Sequence, residues 1–148
     1  MVERTAYKTT TVPVSRSQEA IRNLLVKYDV IGCQFTENFE TGEIVLRFVK
    51  RVNEIPRTVR IVLPTEDNEK QAYRALYYWM KSQLEAVDFG LLSFEHVFLA
   101  HFEWMLESGQ TATVADIILP RLSAQGSGCL LEAPLEDDDV PNGEFREV

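Results

Sequence analysis

The sequence predicts an α+β fold, an antiparallel three- to four-stranded meander packed on one face by helices. Two observations lead to this fold class. Residues 30–63 alternate between apolar and polar side chains, whereas residues 14–28 and 69–106 repeat apolar side chains at helical spacing. The 148 residues, 45% of them hydrophobic, are enough for one domain with its own core. We therefore predict a single α+β domain at residues 1–124 and a flexible linker with an acidic tail at residues 125–148.

An extended segment and a helix are the first predicted elements. Residues 5–14 are rich in Thr and Val, which favours an edge strand, and Pro13 fits only the edge or end of such a strand. Ser15 and Gln18 have the spacing of a capping box. The apolar stripe of the helix that follows consists of Ile21, Leu24, Leu25 and Tyr28.

Three strands follow the first helix, separated by a turn at Thr41–Gly42 and a break at residues 53–56. Short turns between segments of period two are typical of an antiparallel meander. The apolar face is predicted to carry Cys33, Phe35, Phe39, Ile44, Leu46, Phe48, Val59, Ile61 and Leu63. The opposite face is predicted to carry Gln34, Thr36, Asn38, Arg47, Arg51 and Arg60, with Lys50 nearby.

After Pro64 the apolar period becomes helical. The acidic residues among 66–69 suit a helix start, where the helix dipole favours negative charge, and Gly90 is a suitable residue to end that helix. Ser93 then caps a second predicted helix over residues 94–106. Thr113 and Asp116 resemble the start of a short last helix, and Pro120 should interrupt or end it.

Catalytic signatures are missing from the sequence. No His-Glu-x-x-His, paired-cysteine, P-loop or dinucleotide-binding glycine pattern occurs. His96 and His101 are five residues apart, which separates them by about 140° on a helix and does not form a metal site. We therefore expect a protein that is not an enzyme and uses no metal and no cofactor, with both histidines as partly buried helix residues.

Location and membrane contact are predicted from the same composition. The amino-terminal residues are polar and lack the apolar region of a secretory signal. No run approaches the roughly 20 apolar residues that a membrane helix needs. Cys33 and Cys129 are far apart and form neither a disulfide framework nor a metal-ligand pattern. The expected location is cytoplasmic, without membrane contact.

Charge is unevenly distributed along the chain. Residues 1–62 carry a net +3, residues 63–124 a net −5 and residues 125–148 a net −6. The arginines of the polar sheet face lie in the basic part, where they suit the phosphates of a nucleic acid. Exposed antiparallel sheets are a common platform for single strands, although a solvated sheet face is the alternative interpretation.

The acidic tail carries the one resemblance to a known family. The residues "DDDVP", 137–141, resemble the acidic tip of bacterial single-stranded DNA-binding proteins, and phage counterparts have similar tails. In this chain Asn142 follows the proline, and the nearest phenylalanine is Phe145. The resemblance implies that the tip recruits protein partners. The partner-binding residues would be Asp137, Asp138, Asp139, Val140, Pro141 and Phe145.

Two functional hypotheses follow from these patterns. The first is a non-enzymatic, nucleic-acid-associated protein that binds single-stranded DNA through the arginine-bearing sheet face, while the tail regulates binding or recruits partners. The second is a small phage or mobile-element accessory protein that binds a host enzyme without contacting nucleic acid. The aromatic-rich helices suit the second hypothesis, because surplus apolar surface marks a protein partner or a homodimer contact.

Overall fold

The computed structural model describes residues 4–64 and 68–125. Its elements confirm the predicted α+β class, with a three-stranded antiparallel sheet and helices. Contacts group the described residues up to Val114 into one compact unit and assign those from Ala115 onward to a second. The predicted domain boundary after residue 124 stays a prediction.

The main sheet is an antiparallel meander in the order β1-β2-β3. Its strands are β1 Gly32–Glu37, β2 Ile44–Val52 and β3 Ile55–Leu63. Asn53 and Glu54 connect β2 to β3 with φ of 52° and 68°, the left-handed pair that a two-residue hairpin turn requires. The tight turn fixes the register, so that Val52 pairs with Ile55.

Three helices cover one face of this sheet: α1 Val14–Lys27, α2 Glu69–Phe89 and α3 Phe94–Phe98. Their apolar stripes and the alternate residues of β2 and β3 form one core. The buried core residues are Ile21, Leu24, Leu25, Ile44, Leu46, Phe48, Val59, Leu63, Tyr73, Leu76, Met80, Leu84, Phe94, Phe98 and Phe102. One sheet face is therefore committed to the helices, and the other is left for polar side chains.

The segment after α3 differs from its prediction as a helix over residues 94–106. The helix ends at Phe98, a 3₁₀ turn follows at Leu99–His101, and Glu103–Met105 form a strand, β4. That strand pairs with β5, Thr111–Thr113, in a separate two-stranded sheet. Residues 103–105 form a strand instead of the predicted helix because they pair with β5 on the other side of the turn at residues 106–110.

Two predictions for the amino-terminal region are wrong. In place of a strand, residues 6–9 form a turn with Tyr7 at φ 58°. The side-chain amide of Gln71 on α2 then donates to the carbonyl oxygens of Arg4 and Ala6, both at 2.7 Å. The capping box is also wrong, since Pro13 is the N-cap of α1 without a side-chain hydrogen bond.

The other helix ends agree with their predictions, except the end of the last helix. Gly90 ends α2 in the left-handed conformation, and the Ser93 hydroxyl accepts from the His96 N–H at the start of α3. The last helix, α4 Val114–Gln125, continues through Pro120 rather than stopping there. Within the described residues, none of these helices combines the length and apolarity that crossing a membrane requires.

Candidate functional site

A row of polar side chains crosses the face of the sheet that the helices leave uncovered. Gln34 on β1 pairs with Arg47 on β2, and Arg47 pairs with Arg60 on β3. Residues directly opposite each other in an antiparallel sheet point to the same side. The period-two pattern therefore brings one amide and two guanidinium groups together, as the sequence predicted.

Arg47 is held by a carboxylate of the second sheet. Its Nε and one terminal nitrogen donate to the two oxygens of Glu103 on β4, both at 2.7 Å. The Glu103 side chain is 9% exposed and that of Arg47 43% exposed. The hydrogen bonds to Glu103 raise the pKa of Arg47, and burial opposes them. The fork of Arg47 is thus filled by a carboxylate from the same chain.

The hairpin of β4 and β5 forms the second wall of a polar cleft above this row. The cleft has a volume of about 660 Å³, within the range of small-ligand sites. Its lining comprises Gln34, Thr36, Val45, Arg47, Arg60, Glu103, Gly109, Gln110 and Thr111. Guanidinium, amide and hydroxyl groups at such a surface suit a ligand that carries anionic oxygens.

A smaller trough lies on the other side of Arg47 along the same sheet face. It has a volume of about 240 Å³ and is lined by Gly32, Cys33, Gln34, Arg47, Val49 and Thr58. Gln34 and Arg47 line both the trough and the cleft. The side chains of Gln34 and Arg47 therefore lie between two depressions of one surface, and Glu103 contacts Arg47 from the side of the cleft.

Arg60 and Arg51 differ from Arg47 in their partners. No carboxylate of the described residues lies within ion-pair distance of either guanidinium group. Arg51 is exposed, follows Arg47 by four residues on β2, and pairs with Pro56 across the hairpin. Both side chains belong to the uncovered face, as predicted from their parity.

Two predicted ligand-contact residues, Asn38 on this face and Lys50 near it, lie elsewhere. Lys50 has the same strand parity as Leu46 and Phe48, and its ammonium group donates to the Tyr28 carbonyl at 2.7 Å on the helix-covered side. Asn38 follows the end of β1 and accepts with its Oδ1 from the N–H groups of Glu40 and Thr41. Lys50 is a structural cation and Asn38 a turn residue. Neither position suits contact with a ligand on the uncovered sheet face that carries Arg47, Arg51 and Arg60, called the arginine face below.

The remaining predicted residues fall into two groups. Thr36 lines the polar cleft, as its place on the uncovered face requires. The tail residues lie outside the residues that the structure describes. They are Asp137, Asp138, Asp139, Val140, Pro141 and Phe145. Their role in partner binding stays a prediction.

Sequence reasoning missed the residues that the hairpin contributes. Glu103 lies 56 residues from Arg47 along the chain, and no local pattern relates them. The turn signal Ser108–Gly109, followed by Thr111 and Thr113, is the feature that could have indicated a hairpin.

Apolar side chains are exposed close to the hairpin. Trp104 on β4 is 62% exposed, and its neighbour Met105 and Leu99 are exposed as well. These three residues line a groove of about 360 Å³ together with Phe102 and the Arg57–Glu95 pair. Trp104 has the strand parity of buried Phe102, opposite to that of Glu103, and it lines neither depression on the face of Arg47.

His101 lies in a different, largely apolar depression between α2 and the end of β3. The depression has a volume of about 590 Å³, and its lining includes Leu63, Ala72 and Trp79. The rings of His101 and Trp79 meet edge to face at 5.5 Å. Burial lowers the pKa of His101. Within the described residues, no group of three or more potential metal ligands forms around it or elsewhere.

Comparisons with known proteins identify no family. Neither family models nor curated protein sequences nor solved structures give a significant match to this chain. Functional inference therefore rests on the geometry of the arginine face and its hairpin wall.

Proposed function

We propose that the protein is a non-enzymatic, nucleic-acid-associated protein that binds single-stranded DNA on the arginine face. The observation that carries this proposal is the alignment of Gln34, Arg47 and Arg60 in one row across three strands. Guanidinium groups bind phosphate through paired N–H donors. Arg51 extends the positive charge along β2, so phosphates can be contacted at more than one point.

A single strand suits this surface better than a duplex. The row and the two depressions follow the face of a sheet, and sheet faces bind unstacked nucleotides. Gln34 and Thr36 supply hydrogen-bonding groups for sugars or bases. The planar guanidinium groups of Arg51 and Arg60 are available to stack on a base.

The acidic tail is part of the same proposal on the basis of its charge. Residues 125–148 contain seven acidic residues and one basic residue. A polyanion of this kind competes with nucleic acid for a basic surface and weakens non-specific binding, and salt reduces both effects. Its similarity to the tip of single-stranded DNA-binding proteins supports a second role in recruiting partners.

Fluorescence anisotropy with a labelled DNA strand of about 16 nucleotides tests the proposal on the full chain. Arg51→Glu with Arg60→Glu should weaken binding at least about tenfold and flatten its salt dependence. The matched control is Arg16→Glu with Lys27→Glu on α1, which changes the net charge equally on the opposite side of the sheet. A similar loss of affinity in both double variants would contradict a site on the arginine face.

The tail is tested in the same assay. Asp137→Asn, Asp138→Asn and Asp139→Asn together remove three charges from the region of highest negative charge. The triple variant should bind the strand more tightly at low salt, and the gain should shrink as salt is added. An unchanged affinity at low salt would contradict competition between the acidic tail and the DNA strand.

The exposed side chains of Leu99, Trp104 and Met105 favour one second function. Apolar groups clustered around a groove are typical of protein-binding surfaces. On this alternative the protein is an accessory factor, of phage or mobile-element type, that binds and modulates a host enzyme. A lack of DNA binding at low salt by the wild-type chain would favour this second function over the first.

A further inference from the structure

The Arg47–Glu103 pair connects two separate sheets across the candidate site. The carboxylate approaches the guanidinium with two hydrogen bonds of 2.7 Å, which is the geometry that a phosphate would adopt on the same fork. Glu103 therefore occupies the position on Arg47 that an anionic ligand requires. A ligand phosphate and the Glu103 carboxylate cannot use that fork at the same time.

The hairpin that carries Glu103 has few other attachments to the main sheet. Its strands have three residues each, and β4 begins beside an isolated bridge between Phe102 and Val59. The turn between them, residues 106–110, is exposed. A short hairpin of this kind belongs to the low-stability end of a fold, where local opening needs little free energy.

We propose that the β4–β5 hairpin is a gate on the arginine face, and that Glu103 is its intramolecular competitor for the ligand phosphate. This inference rests on the proposed function and specifies its regulation. In the closed state, Glu103 holds the Arg47 side chain in place between the cleft of about 660 Å³ and the trough of about 240 Å³. When a phosphate replaces the carboxylate, the hairpin moves away, Arg47 is released, and the two depressions join into one track.

The joined track selects an extended anionic chain over a single nucleotide. Arg60 lines the cleft and is accessible while the gate is closed, so it provides the first contact. The two donors of Arg47 that Glu103 occupies become available only after Glu103 leaves, which requires a second phosphate near the first. Binding energy from the first contact thus supports the opening, as in other population shifts.

Binding assays on single variants of the full chain test the gate. Glu103→Gln keeps the shape of the side chain and removes its charge, and it should tighten binding of the labelled strand about tenfold. Glu107→Gln in the hairpin turn removes the same charge from an exposed residue outside the site and should change affinity less than about twofold. Arg47→Gln should abolish the gain from Glu103→Gln when both changes are combined.

Hydrogen exchange gives a readout that does not depend on DNA binding. Backbone amides of residues 103–113 should exchange faster in Glu103→Gln than in Glu107→Gln, because the ion pair that holds the hairpin to Arg47 is removed. In the wild-type chain, the same amides should exchange faster when the DNA strand is bound.

The outcomes separate the gate from the proposed function. Equal affinities of Glu103→Gln and Glu107→Gln, with clear DNA binding by both, overturn the gate and leave the proposed function in place. Slower exchange of residues 103–113 on DNA binding also overturns the gate, since the hairpin would then close on the ligand. Absence of DNA binding by every variant overturns the proposed function, and the gate with it.

Discussion

Arg47 and Arg60 are directly opposite each other on neighbouring strands, and of the two only Arg47 contacts a carboxylate of the described residues. Like charges in this position destabilise a sheet. The Glu103 carboxylate offsets the repulsion by neutralising one of them. The same arrangement that concentrates positive charge for a ligand therefore depends on the hairpin for its stability.

Removal of the Glu103 carboxylate should lower stability through this arginine pair. Glu103→Ala is expected to reduce the free energy of unfolding by about 1 kcal/mol, a modest value because solvent screens the half-exposed Arg47. Adding Arg60→Gln should recover about 0.5 kcal/mol, since the opposed charge is gone. Urea unfolding of the four members of this cycle measures the coupling. If Arg60→Gln changes the free energy of unfolding equally in the wild-type chain and in Glu103→Ala, the proposed repulsion between Arg47 and Arg60 is contradicted.

The turn between β2 and β3 contains a residue that is poorly suited to its conformation. Glu54 has φ of 68°, which is unfavourable for a side chain with a Cβ atom. Glu54→Gly should raise the free energy of unfolding by about 0.5 to 1 kcal/mol, after the greater freedom of glycine in the unfolded chain is subtracted. Thermal unfolding detects the change. Glu43→Gly, at a residue without positive φ, is the control and should give no gain.

Ser17 is fully buried on α1, and its hydroxyl has no hydrogen-bond partner in the described part of the chain. An unsatisfied hydroxyl in an apolar core is costly. Ser17→Ala should therefore stabilise the protein by about 1 kcal/mol, helped by the higher helix propensity of alanine. The exposed Ser15 on the same helix provides the control, and Ser15→Ala should have a much smaller effect in the same urea titration. A clear loss of stability in Ser17→Ala would show that the hydroxyl has a partner.

Acid should weaken the fold through His101. Burial lowers its pKa below the ordinary value of 6.5, so the unfolded chain binds a proton more readily than the folded protein. This contribution to stability is complete above pH 6.5 and is lost as the pH falls through the lower pKa of the folded state. Urea unfolding at several pH values should show the decline, and His101→Gln should make it shallower. The same slope in His101→Gln would assign the decline to other groups.

The sequence predicted the main sheet and its polar row because both follow from local alternation. Arg47 and Arg60 have the parity of exposed residues, and tight turns keep that parity aligned from strand to strand. Lys50, predicted near this row, shares the parity of Leu46 and Phe48 and lies on the helix-covered side. Its position depends on a long side chain that reaches the Tyr28 carbonyl while its stem stays in apolar surroundings.

The hairpin wall was not predictable from the same kind of pattern. Large apolar residues recur from α3 into β4 at intervals that also fit a helix, so their spacing does not mark the change from helix to strand. The change is decided by pairing with β5 and by the contact of Glu103 with Arg47, both of which are tertiary. Tyr7 shows a similar effect, because its stacking on Tyr78 at 5.1 Å accompanies a turn where local propensity favours a strand.

The two tryptophans have contrasting surroundings, and this contrast makes the protein its own optical probe. Trp104 is solvent-exposed on the hairpin, whereas the ring of Trp79 meets those of Phe98 and His101. Iodide should quench the fluorescence of Trp104 before that of Trp79. Protonation of His101 should lower the fluorescence of Trp79 alone. Movement of the β4–β5 hairpin and titration of His101 can therefore be followed separately in one sample, without an added label.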